Sequence, residues 1–240
     1  MSILSEMARS LKGLIFPPRC LVCNEFLEEG ERCFCTLCRA TAPLTGFSRQ
    51  EHNPLREYLA AYLPIEQATA LLHFHHASRW RQLIHHFKYH GRAPFAYEMG
   101  RWLGRELKQC DQYADLTAVV PLPLHPLRRL WRSYNQSEWL AEGIAKELGI
   151  KVDTRSVGRR RYTSPQALKP GHERAENVAD AFTVRRPEQL AGGHLLLVDD
   201  VLTTGSTIIS CAETMLEEIP DCRLSVAVLS VHQRIAGLER

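Results

Sequence analysis

The chain is 240 residues long, enough for one large domain, or a domain plus a small module, with a sizeable core. Hydrophobic residues make up 45% and charged residues 24%, ordinary globular values that argue against overall disorder. A net charge of +3 permits an anionic ligand without implying nucleic acid, and no apolar run approaches the roughly 18–20 residues that cross a bilayer.

Residues 1–16 carry Leu4, Met7, Leu11 and Leu14 at helical spacing, with Glu6, Arg9 and Lys12 among them. An export signal needs an uninterrupted apolar core, so the pattern predicts a soluble amphipathic helix and a cytoplasmic protein. The helix could dock on the body or lie on a membrane surface. Five of the eight cysteines then fall between positions 20 and 38. Cys20 and Cys23 form one C-x-x-C knuckle and Cys35 and Cys38 another, a spacing that can present four thiolates tetrahedrally to a structural Zn²⁺. Cys33 is the spare thiol, an alternative to Cys35. Disulfide pairing is the competing reading, and a cytoplasmic chain argues against it. Cys110, Cys211 and Cys222 stand singly and read as core thiols.

The helix and cysteine module are expected to occupy residues 1–45. Pro43, Gly46, Pro54 and Pro64 punctuate the next stretch, predicting a linker with short helices over 46–67. A core domain is expected over 68–240. Residues 69–76 read as its first strand and 79–89 as a helix stopped by Gly91. Six histidines crowd this region (His73, His75, His76, His85, His86 and His90). Strand alternation and adjacent helical positions do not bring three imidazoles to one point, so a mostly solvated set is expected. An amphipathic helix over 94–107 comes next, then a buried strand at 116–120 closed by prolines. A basic loop with Arg128, Arg129 and Arg132 leads to a helix over 138–148, capped by Ser137 and stopped by Gly149. The most basic part lies between Arg155 and Ala181.

Four unbroken aliphatics, Leu195, Leu196, Leu197 and Val198, then predict a strand buried on both faces of a parallel sheet, ending at Asp199 and Asp200. Thr203, Thr204, Gly205, Ser206 and Thr207 form a hydroxyl-rich turn into a helix running to about residue 219. Such a turn offers backbone N–H groups and the positive end of a helix to a phosphate. Carboxylates accept but do not donate hydrogen bonds, so acids beside that turn call for a ligand that also carries hydroxyls or Mg²⁺. A ribose 5-phosphate meets both demands. The plain alternative is a surface loop and an ordinary helix cap. A final strand is expected over 223–231. Alternating strands and helices from residue 68 onward predict an α/β domain, a parallel sheet with helices on both faces and ligand at the carboxyl ends of its strands.

The 199–207 stretch resembles the phosphoribosyl-pyrophosphate (PRPP) signature of type I phosphoribosyltransferases, and it lacks the Lys of a Walker A loop. Nearly the whole chain, cysteine module included, resembles the ComF (GntX-like) family of phosphoribosyltransferase-like proteins. The phrase Phe87-Lys88-Tyr89-His90-Gly91 is similar to that family's lysine-tyrosine-glycine phrase. Arg132-Ser133-Tyr134-Asn135-Gln136 is similar to its arginine-glycine-aromatic-asparagine-glutamine phrase, with Ser133 in place of Gly. Arg161, Gln166, Arg174, Asn177 and Phe182 match a further series in order.

The resemblance implies a type I phosphoribosyltransferase-like fold behind an N-terminal zinc module. Asp199 and Asp200 would be both catalytic and PRPP-binding. Val201, Leu202, Thr203, Thr204, Gly205, Ser206 and Thr207 would hold the 5-phosphate. Lys88, Arg128, Arg129 and Arg132 would complete the PRPP site, with Mg²⁺ on the pyrophosphate, and Arg161, Gln166 and Arg174 would lie on a flap that closes over it. Two functional readings stay open. One is a phosphoribosyltransferase acting on an acceptor. The other is a non-catalytic factor in natural transformation or use of external DNA, handling single-stranded DNA beside DNA-uptake or helicase proteins, with PRPP regulatory or its site vestigial. The Arg-rich segment with Tyr162 fits a flap, a nucleic-acid surface or a solvated loop.

Overall fold

The computed structural model describes residues 17–74, 79–80, 93–124, 135–159, 181–235 and 237. The N-terminal helix expected at 1–16 lies outside these residues, as does most of the helix expected at 79–89.

The cysteine module comes first, with helix α1 (Thr36–Ala40) starting inside its second knuckle. A 3₁₀ turn (Phe47–Arg49) and α2 (Pro54–Ala60) come next. Asn53 caps α2 by accepting from the Arg56 N–H, and Pro54 sits where a missing N–H costs nothing. The segment expected as a linker thus forms short helices, and Leu55 and Leu59 are fully buried in the main core.

The strands are β1 (Ala68–Phe74), β2 (Ala118–Pro121), β3 (Lys151–Val152), β4 (Val157–Arg159), β5 (Phe182–Val184), β6 (His194–Leu202) and β7 (Arg223–His232). Five form one sheet in the order β1-β7-β6-β2-β3, and every pairing in it is parallel. β4 and β5 form a separate antiparallel ribbon. Among the described residues the domain also carries the helices α3 (Ala93–Lys108), α4 (Gln136–Leu148) and α5 (Ser206–Glu218).

Side-chain alternation along β6 divides the core. Leu195 and Leu197 face α2 and α5, while Leu196 and Val198 face α3 and α4. Helices therefore cover both faces, as a parallel sheet requires. β2 and β6 are neighbours, yet β2 leads to α4 on one face and β6 to α5 on the other. Divergence of that kind opens a crevice at the carboxyl ends of the two strands.

Two local expectations are corrected. β6 does not stop at Val198 but continues through both acids to Leu202, because β7 keeps pairing with it, Asp199 opposite Val228 and Val201 opposite Ser230. The α4 cap is Asn135, whose side chain accepts from the Ser137 N–H, and not Ser137. Gly149 ends α4 in the left-handed region, φ 74°, as expected.

Candidate functional site

Asp199 and Asp200 ride the last turn of pleat on β6, half-buried at the crevice. Ser137, at the start of α4, donates its hydroxyl to Asp199 Oδ1 at 3.0 Å. Asp200 Oδ1 accepts the Val201 N–H at 2.7 Å. The chain leaves the strand through Thr203 and Thr204, both exposed, and turns at the buried Gly205, φ 70°. That conformation suits Gly and strains most other residues. As the residue before α5, Gly205 has no side chain to cap the helix, so the first-turn N–H groups are left for another acceptor. Thr204 and Ser206 bring their hydroxyls within 3.1 Å of each other. Asp199 and residues 201–208 line a shallow cavity of about 40 Å³. Tyr58 of α2 reaches the same loop and donates to the Thr204 carbonyl at 2.9 Å.

The structure thus brings together Asp199, Asp200, Val201, Leu202, Thr203, Thr204, Gly205, Ser206 and Thr207. Lys88, Arg128, Arg129, Arg132, Arg161, Gln166 and Arg174 lie outside the described residues, as do five of the six clustered histidines, all but His73. Two contacts of the site, Ser137 on Asp199 and Tyr58 on the loop, are not evident from the sequence. Ser137 reads there only as a cap, although its adjacency to the Asn135-Gln136 phrase is a signal. Tyr58 has none, since it sits in the segment that reads as a linker.

The second cluster is the cysteine module. The Sγ atoms of Cys20, Cys23, Cys35 and Cys38 all lie within 4.8 Å of one another, and Cys23 and Cys35 approach to 3.7 Å. A tetrahedron with metal–sulfur bonds of about 2.3 Å has sulfurs about 3.8 Å apart, so the donor set fits a four-thiolate metal. Backbone N–H groups of Cys35 and Cys38 point at Cys20 Sγ and Cys35 Sγ, each at 3.4 Å. Burial raises the Cys20 thiol pKa, but N–H donors from Cys23, Cys35 and Val22 outweigh it and bring the value down to about 7. Cys33 is outside the cluster, and burial pushes it up to about 11, the behaviour of a thiol that stays protonated. Of the single cysteines, Cys211 is fully buried and Cys110 and Cys222 are half-buried. Among the described residues no helix is long and apolar enough to cross a membrane.

The Phosphoribosyl transferase domain family matches residues 135–239. The chain is similar to DNA utilization protein YhgH of Escherichia coli strain K12, 29% identical over 85% of this chain and 92% of that protein. Competence protein F of Haemophilus influenzae is 26% identical over 79% of this chain and 87% of that protein. Among solved structures, glutamine PRPP amidotransferase from B. subtilis aligns with 60% of this chain and 30% of its own, at 15% identity and a TM-score of 0.41. The domain match spans β6, the acids, the loop and α5, and the YhgH alignment reaches well beyond it. The fold is accordingly that of a type I phosphoribosyltransferase behind a four-cysteine module, and the domain match together with these relatives supports assignment to the ComF family.

Proposed function

We propose that the protein binds PRPP at the carboxyl end of β6 and works in natural transformation or the use of external DNA. The observation that carries the PRPP reading is the pairing of two adjacent carboxylates with an uncapped helix N-terminus across one tight Gly turn. Asp199 and Asp200 accept hydrogen bonds from the ribose 2- and 3-hydroxyls. N–H groups and hydroxyls of residues 201–207 donate to the 5-phosphate, where the positive end of α5 adds to the attraction. Lys88, Arg128, Arg129 and Arg132 are assigned to the pyrophosphate, which suits bidentate guanidinium donors. Arg161, Gln166 and Arg174 are assigned to the closing flap.

In the transfer reading an acceptor nucleophile displaces pyrophosphate, and positive charge develops at the anomeric carbon as the bond to the leaving group stretches. Asp199 and Asp200 face that charge without attacking it, a stabilisation by placement and not by covalent catalysis. Their oxygen donors also suit a hard cation, and Mg²⁺ supplies charge neutralisation on the pyrophosphate. For the cysteine cluster we propose structural Zn²⁺ on Cys20, Cys23, Cys35 and Cys38, since four thiolates close the coordination shell and leave no open position.

The DNA role rests on the names of the relatives, a DNA utilization protein and a competence protein. It favours a second reading in which PRPP regulates a factor that handles single-stranded DNA with DNA-uptake or helicase proteins. Calorimetric titration of the zinc-loaded protein with PRPP and Mg²⁺, beside an Asp199→Asn/Asp200→Asn variant, tests the shared core of both readings. Binding by the wild type should fall at least about tenfold in the variant, since a hydrogen bond to a charged group contributes roughly 1.5–3 kcal/mol. A folded wild type that binds no PRPP would overturn the site.

A further inference from the structure

We infer that Tyr58 is a positioning residue of the phosphate loop: its hydroxyl fixes the orientation of the Thr204–Gly205 peptide and thereby aims the Gly205 N–H. The inference rests on the PRPP reading for its ligand but not for its geometry. Tyr58 donates to the Thr204 carbonyl at 2.9 Å across 146 positions of sequence. In a trans peptide the C=O and the N–H of the next residue point in opposite directions. Holding the Thr204 carbonyl toward α2 therefore turns the Gly205 N–H away from α2. A peptide beside Gly is the one most free to flip, because Gly accepts φ of either sign and so serves either of two turn types. Something outside the loop must choose, and Tyr58 is placed to do so. Its ring also bounds the turn, since a Cβ added at Gly205 would meet Tyr58 Cε1 at 3.3 Å.

The helix that carries Tyr58 is itself held. Leu55 and Leu59 are fully buried, and the buried Asn53 donates to the Ala68 carbonyl at 2.9 Å besides capping α2. The nearby Tyr62 ring lies 5.6 Å from that of Tyr58, centroid to centroid. Burial, with Tyr62 adding to it, raises the Tyr58 pKa above its usual value, so the phenol remains a donor throughout the neutral range. A loop set in advance in this way spends no binding energy on ordering itself around the phosphate.

The test is Tyr58→Phe, which keeps the ring and removes the hydroxyl, made in the full-length zinc-loaded chain. NMR relaxation dispersion at the Gly205 amide, without ligand, should show exchange in Tyr58→Phe that the wild type lacks, at an unchanged melting temperature. Affinity for ribose 5-phosphate should fall about 5- to 10-fold, the size of one hydrogen bond. Affinity for inorganic pyrophosphate should stay at the wild-type value. A wild-type Gly205 signal in the variant, or an equal loss for both probes, overturns the assignment. Exchange at Gly205 together with a wild type that binds neither ribose 5-phosphate nor PRPP upholds the positioning role and instead removes the PRPP site.

Discussion

His194 opens β6 at the end of the sheet opposite the acids, and it is 2% exposed. Its Nδ1 lies 2.6 Å from Asp115 Oδ1 and its Nε2 lies 2.8 Å from Ser225 Oγ. Serine, histidine and aspartate at such distances invite a hydrolase reading. Ser225, however, is fully buried, and its oxygen also accepts the Gln67 N–H at 3.2 Å, so no substrate can approach it. The trio is a clasp that joins β6, β7 and the segments before β1 and β2. Replacing His194 by Ala leaves a buried hydroxyl short of a partner and should cost on the order of 2–3 kcal/mol in denaturant unfolding. The bond from His194 first, and the Arg223 guanidinium 2.6 Å from Asp115 Oδ2, hold the Asp115 carboxyl below its ordinary value. A carboxyl depressed in the folded state stabilises above its unfolded pKa, about 4, and loses that contribution as pH falls through the folded value. The stability gap between wild type and Asp115→Asn should therefore shrink as pH falls below about 4. A gap that widens with acid would reverse the assignment.

The α3–α4 pair shows what a helix pattern conceals. A Cβ added at Gly100 would run into the Leu140 carbonyl oxygen, and one at Gly143 into that of Tyr97. The two backbones touch at this crossing, and only glycine leaves room for the approach. Gly143→Ala, normally favourable in a helix by about 1 kcal/mol, should here destabilise by roughly 1–3 kcal/mol or more, because backbone on both sides cannot yield. A thermal melt decides between the two signs. Periodicity makes the helices and their apolar sides legible, since Met99, Trp102, Leu103 and Leu107 are all buried. It carries no information on how closely helices approach, so Gly100 and Gly143 look like weak points and not contacts. The aliphatic run at 195–198 and the acids after it are likewise legible, as is the Thr-Thr-Gly turn. What is not legible depends on partners distant in sequence. β7 carries β6 past the acids against their poor strand propensity, and Tyr58 reaches Thr204 from the segment that prolines mark as a linker.

Across the whole molecule the cysteine module and the sheet share one core. Cys20, Phe34 and Cys38 of the module pack in the same cluster as Phe95, Met99, Trp102 and Leu103 of α3. The Phe34 ring lies 5.1 Å from that of Trp80 and 5.6 Å from that of Phe95, while Arg39 sits over Trp102 at 5.4 Å. With the proposed zinc on its four thiolates, a module this small is expected to draw its fold from the metal more than from burial. Structural zinc in such modules contributes about 10–16 kcal/mol, comparable to the roughly 5–15 kcal/mol that stabilises a whole domain. Removal of metal should therefore not stop at residue 45. With the knuckles open, Phe34 leaves its aromatic neighbours, Trp80 and Trp102 meet water, and α3 loses part of the surface that seats it on the sheet. Chelation is expected to lower a single melting transition of the full chain and to shift tryptophan emission to the red, both reversed by added zinc. Cys35→Ser should abolish the bound zinc, while Cys33→Ser should keep one zinc per chain. If chelated protein melts and emits as before, the module is an appendage, and its tie to the sheet is contact without shared stability.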